Sequence, residues 1–183
     1  MAHCITRRGR LRRRLVRKGR MSNKTRLIIF LAITLAWMIV IFDMSGMAGP
    51  ESRGLSDIIC RLLSDILYNN PEPVTYNAET STISPMAFVV RKTAHMFEFA
   101  VLAVLMVIDL ELIRKVWNGF PGKAYVMAVA FTAAYACTDE IHQSFVGGRD
   151  CRISDMCIDT AGAVIGILVL IAARRVLRWR RET

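Results

Sequence analysis

The chain has 183 residues, 54% of them hydrophobic, with a mean hydropathy of +0.36 and a formal net charge of +10. That apolar fraction excludes intrinsic disorder, and the length fits one compact domain. The charge would fit a nucleic-acid partner only if the basic residues formed a patch on a folded surface; here they are segregated between apolar runs, so no nucleic-acid partner is expected.

In chain order, the first twenty residues hold nine Lys or Arg, no acid and no apolar periodicity, which reads as a cytoplasmic tail lying on anionic lipid. The basic segment extends over 1–26, with Met21 an alternative start because Met21 to Arg26 already makes a short basic flank. Leu27 to Phe42 is apolar except for Thr34 and, extended through Ala48, reaches the roughly 20 residues a helix needs to cross a bilayer. A cleaved secretory signal is not expected, since this run is long and Asp43 to Pro50 offers no A-x-A site. In the long connection that follows, Leu55, Ile58, Ile59, Leu62, Leu63, Ile66 and Leu67 recur at helical spacing, predicting an amphipathic helix from about Ser52 to Tyr68. Pro71, Pro73 and Pro85 then mark an irregular lead into a second span, Met86 to Leu110. Ala124 to Ile141 and Ile153 to Ala173 are the third and fourth spans, and 174–183 is a second basic tail. The predicted fold is all-α: a polytopic membrane protein with a four-transmembrane-helix bundle over 27–173 and an amphipathic outer helix between the first two spans.

The Lys and Arg bias orients this bundle. Segments 1–26, 109–123 and 174–183 together hold nineteen of the 25 basic residues, and the other side holds six against twelve of the fifteen acids. Both termini are therefore expected in the cytoplasm, with membrane lipid as the surrounding partner. The five cysteines form no C-x-x-C pattern, and a Cys60 to Cys151 disulfide is geometrically open but has no support in the sequence.

The informative residues are ionisable groups at membrane depth, which cost several kcal/mol when they face lipid and so mark a bundle interior or a wet cavity. Arg91, His95 and Glu98 stand at i, i+4 and i+7, within about 60° of one another on a helix, and Lys92 adjoins them. Asp139 and Gln143 share a face of the third span with Glu140 beside them; on the fourth, Asp155 and Asp159 share a face continued by Gly162 and Gly166. All lie at the outer ends of their helices. One reading makes them structural ion pairs locking the helices together; the other makes them one outward-facing polar cavity, favoured because far fewer charges suffice as glue. The Gly162-x-x-x-Gly166 pattern separately permits close helix approach.

The strings Arg91-Lys92-Thr93-Ala94-His95-Met96-Phe97-Glu98-Phe99 and Thr138-Asp139-Glu140-Ile141-His142-Gln143-Ser144-Phe145-Val146-Gly147-Gly148-Arg149, followed by Ile153-Ser154-Asp155 and Gly162, resemble the VanZ-like family of small bacterial membrane proteins. Trp37, Phe42 and Ser45 are similar to that family's aromatic and serine positions in the first span, and the resemblance runs from about Leu27 to Ala173. Asp159 departs from the family's usual Asn, and Gly147-Gly148 stands where Pro-Gly is frequent.

The resemblance implies a bacterial plasma-membrane protein linked to resistance to teicoplanin-type glycopeptide or lipoglycopeptide antibiotics, or to cell-envelope protection, through binding the antibiotic or a lipid-linked peptidoglycan precursor. It implies no cofactor. In that role Arg91, Lys92 and Arg149 would engage a phosphate, pyrophosphate or carboxylate, and the carboxylates would receive amines or hydroxyls. A second possibility is a membrane-embedded enzyme in which His95 and Glu98, with the nearby carboxylates, bind a divalent metal or exchange a proton with a lipid head group. No H-E-x-x-H or aspartic-dyad signature supports this, so no metal site is assigned and the enzyme reading is not preferred. A third is a non-catalytic envelope scaffold working through Leu55, Ile59, Leu62 and Ile66 of the amphipathic helix.

Overall fold

A computed structural model describes residues 21–46, 85–117, 123–146 and 151–183. Within them the chain is all-α, with helices α1 (Asn23–Gly46), α2 (Pro85–Trp117), α3 (Ala124–Ser144) and α4 (Ile153–Glu182) in chain order. The basic leader, the amphipathic helix expected at Ser52 to Tyr68, Cys60 and Arg149 lie outside the described residues. Among the described helices, α1 and α4 are long and apolar enough to cross a membrane.

The N-terminus of α1 is capped by Ser22, whose Oγ accepts the backbone N–H groups of Lys24 and Thr25 at 3.2 and 3.4 Å. Along α1, Leu27, Thr34, Ile41 and Ser45 are buried at steps of seven, seven and four, which keeps them on one side. The other sides expose Ile28, Leu35, Ile39 and Phe42, an apolar surface that suits lipid contact. Two of the other helices exceed their expected lengths: α2 continues past Leu110 to Trp117, and α4 past Ala173 to Glu182.

Helix α2 is the hub, packing against α1, α3 and α4, whereas α1 and α4 scarcely touch. Its closest partner is α4. A Cβ at Gly162 would sit 2.3 Å from the Met96 carbonyl oxygen, and one at Gly166 2.5 Å from that of Ala100, so both glycines are needed for this backbone approach. Ile41, Phe99, Leu102 and Ala136 form a core cluster towards the end of the bundle that carries Ser45. Ala103, Val107, Leu110, Ala128, Ala163 and Ile167 form another towards the opposite end. There Arg174 of α4 clasps Glu111 of α2 with both guanidinium nitrogens and also donates to the Tyr125 hydroxyl of α3 at 3.0 Å. The hydrogen bond to Glu111 raises the Arg174 pKa further above its ordinary value.

Candidate functional site

The ionisable residues gather where α1 and α3 end and α4 begins. Asp139 is only 2% exposed, and its Oδ2 accepts both the Ser45 hydroxyl and the Gln143 amide at 2.8 Å, so α1 and α3 are joined through one carboxylate oxygen. The same Gln143 amide lies 3.4 Å from Ser45 Oγ. Glu140, 1% exposed, accepts the Arg152 N–H at 3.0 Å, satisfying from a neighbouring helix a donor that adjoins the start of α4.

Helix α2 adds the basic side. Lys92 forms an ion pair with Asp155 in the first turn of α4, both side chains being 18% exposed. An acid in the first turn also complements the helix dipole. One turn along α2, His95 Nδ1 lies 3.6 Å from Glu98 Oε2. Asp159 is buried on α4 one turn inside Asp155, close enough to Asp139, Glu140, Asp155 and Lys92 for their charges to act on it. Glu98 is similarly coupled to Asp139.

The structure therefore brings together eight of the ten residues singled out by sequence: Lys92, His95, Glu98, Asp139, Glu140, Gln143, Asp155 and Asp159. Arg91 is half-buried one turn before His95 on α2, and Arg149 lies outside the described residues. The three α1 positions noted for their family likeness all make contacts at this end of the bundle. Trp37 Nε1 donates to the Glu98 carbonyl at 3.0 Å, Ser45 binds Asp139, and the Phe42 ring stacks on His142 with centroids 3.9 Å apart. Sequence reasoning left Ser45, Arg152 and His142 out of the site. Ser45 was legible from its register on the Leu27, Thr34, Ile41 stripe, whereas Arg152 contributes a backbone N–H that no residue pattern announces.

It also missed Asp109. Counting 109–123 with the inner basic segments treats Asp109 as part of a connection, yet α2 runs on past it and buries it to 3% exposure, with Thr34 Oγ1 donating to its Oδ2 at 2.6 Å.

Five carboxyl groups with Lys92 and the backbone N–H of Arg152 make a cluster rich in acceptors, with Arg91 one turn before His95 on α2. Carboxylates accept hydrogen bonds from amines and hydroxyls, and a lysine ammonium donates to anionic groups. Among the described residues no group of three or more His, Cys, Asp or Glu is placed to hold a metal ion. No curated protein and no solved structure matches the chain. The family model described as VanZ/LLP1 matches residues 30–175, a span that contains all four helical contributions to the cluster. With that match over most of its length and with α1 and α4 apolar enough to cross a bilayer, the chain is a membrane protein and belongs to the VanZ/LLP1 family.

Proposed function

We propose that the chain crosses the bacterial plasma membrane four times with both termini in the cytoplasm, and that the carboxylate-rich end of the bundle faces outward and binds a polar group at the outer leaflet. The role is protection of the cell envelope against teicoplanin-type glycopeptides, with either the antibiotic or a lipid-linked peptidoglycan precursor as ligand. The orientation is supported by the nineteen of 25 Lys and Arg residues that it keeps on the inner side.

The observation that carries the binding reading is the near-complete burial of Asp139, Glu140 and Asp159, at 1–2% exposure, at the end of the bundle where the Lys92–Asp155 pair lies. Helix glue alone calls for matched numbers of acids and cations, because buried charge is costly to hold. A surplus of acids held by Ser45, Gln143 and the Arg152 N–H is instead suited to an amine or hydroxyl ligand. A phosphate or carboxylate on the same ligand would compete with Asp155 for Lys92, helped by Arg91 and Arg149.

The test is a panel of point variants in a susceptible host, scored for membrane expression and antibiotic susceptibility. Lys92→Ala, Asp139→Asn, Asp155→Asn and Arg149→Ala are expected to lose protection at normal expression, while changes at Leu55, Ile59, Leu62 and Ile66 retain it. The reverse pattern identifies a scaffold acting through the amphipathic segment, and full protection in every variant refutes a role for the cluster. The 3.6 Å approach of His95 to Glu98 gives an enzyme reading one specific support, as an acid–base pair. Turnover of a lipid-linked precursor by purified protein, lost in His95→Gln, would establish it.

A further inference from the structure

Asp109 is a buried carboxyl that the cluster at the Ser45 end does not use. It lies eleven residues beyond Glu98 on α2, about 16 Å along the axis, and eight residues, about 12 Å, before the helix ends at Trp117. Its partner Thr34 lies eleven residues inside α1, again about 16 Å from that helix's start. Leu27 and Leu112, further toward this end on the same two helices, are both nearly fully buried.

The carboxyl is 3% exposed and has one hydrogen bond, from Thr34 Oγ1 to Oδ2 at 2.6 Å; Oδ1 is buried with no hydrogen-bond partner among the described residues. Around this depth α1 presents Thr34, α3 presents Tyr125 and Ala128, and α4, whose Gly166 lies further along against Ala100, presents Ile171 and Arg174. At this end Glu111 and Arg174 are taken up with each other and with Tyr125. A carboxylate without a counter-ion in such surroundings costs far more than a neutral acid with one unmade hydrogen bond. If the pair served only to clip α1 to α2, Asn would offer Thr34 the same acceptor without that cost. What Asp adds is a proton that it can take up and release.

We propose that Asp109 and Thr34 form a proton-binding site within the bundle, distinct from the cluster at the Ser45 end and independent of whether that cluster binds a ligand. The proton resides on Oδ1 while the Thr34 hydroxyl donates to Oδ2. On release it passes from Oδ1 to a water molecule admitted between α1 and α2, leaving the carboxylate with the Thr34 bond. Proton exchange and separation of α1 from α2 at this point are then one event.

The full-length protein, labelled with 13C at the Asp side-chain carboxyl and reconstituted in phosphatidylcholine–phosphatidylglycerol vesicles, tests this by solid-state NMR. The signal that disappears in Asp109→Asn identifies the site; Asp109→Glu, which also removes it from the Asp set, serves if the Asn variant does not insert. In the wild type that signal is expected at the shift of a carboxylic acid at pH 7, to reach the carboxylate position only under alkaline conditions, and to remain that of an acid in Thr34→Val. A carboxylate shift at pH 7 overturns the proposal. So does a signal that follows replacement of Na+ by choline instead of pH, which would assign the site to an alkali cation.

Discussion

Gly162→Ala is the sharpest test of how the bundle is held. The added methyl would lie 2.3 Å from the Met96 carbonyl oxygen and 2.8 and 2.9 Å from its Cα and carbonyl carbon, whereas ordinary contact begins near 3.4 Å. Helix α4 must therefore withdraw from α2 by about 1 Å, because the obstacles are backbone atoms fixed by the hydrogen bonds of α2 and no side-chain rotation relieves them. Overpacking of this kind costs about 3 kcal/mol at the upper end of its usual range, while Ala gains about 1 kcal/mol over Gly in intrinsic helix propensity. The expected net loss is about 2 kcal/mol. Reversible denaturant unfolding in detergent micelles, followed by circular dichroism, measures it. Gly46→Ala is the control, since its Cβ would meet only the movable His142 Cε1, at 3.3 Å, and a change within about 0.5 kcal/mol is expected. Wild-type stability for Gly162→Ala would refute the close backbone contact and the reasoning built on it.

Ser45→Ala removes a donor to Asp139 Oδ2 and should cost about 1 kcal/mol in the same unfolding assay, the Gln143 donor remaining in place. Lys92→Met leaves Asp155 without its pair, and adding Asp155→Asn should recover part of the loss; a double-mutant cycle is expected to give a coupling of about 1 kcal/mol, the contact being partly exposed. The Arg174–Glu111 pair is about 30% exposed, so a cycle with Arg174→Met and Glu111→Gln should give no more than about 1 kcal/mol, falling further at high salt. Trp37→Phe should cost about 1 kcal/mol through the lost bond to the Glu98 carbonyl, with thermal unfolding as the readout.

Much of the carboxylate-rich end was legible because helical spacing alone places the right groups side by side. Arg91, His95 and Glu98 share one stripe of α2, and the Asp139–Gln143 spacing is realised as a hydrogen bond within α3. The glycine pair on α4 likewise became the close approach its spacing allows. The depth of Asp109 was not legible, because counting 109–123 with the inner basic segments set it outside the bundle. The helix continues where Arg174, more than sixty residues away in sequence, neutralises Glu111, and no local pattern reveals such a partner. The same non-local pairing hid the value of Thr34, which in sequence is one polar interruption of an apolar run and in the structure is the donor that reaches Asp109.

The arrangement of α1 and α4 on opposite flanks of α2 divides the molecule mechanically. The α2–α4 seam, closed by Gly162, Gly166 and the Lys92–Asp155 pair, works as a fixed frame. Helix α1 is a separate rib, tied to α3 by Ser45 on Asp139 and to α2 by Thr34 on Asp109, eleven residues apart along its length. With Trp37 bonded to the Glu98 carbonyl between these ties, a rib free of the frame's far side can act as a lever about that middle contact. A tilt or roll that loosens one fastening strains the other while the seam stays shut, so events at the two ends of the bundle can be coupled without any rearrangement of its centre.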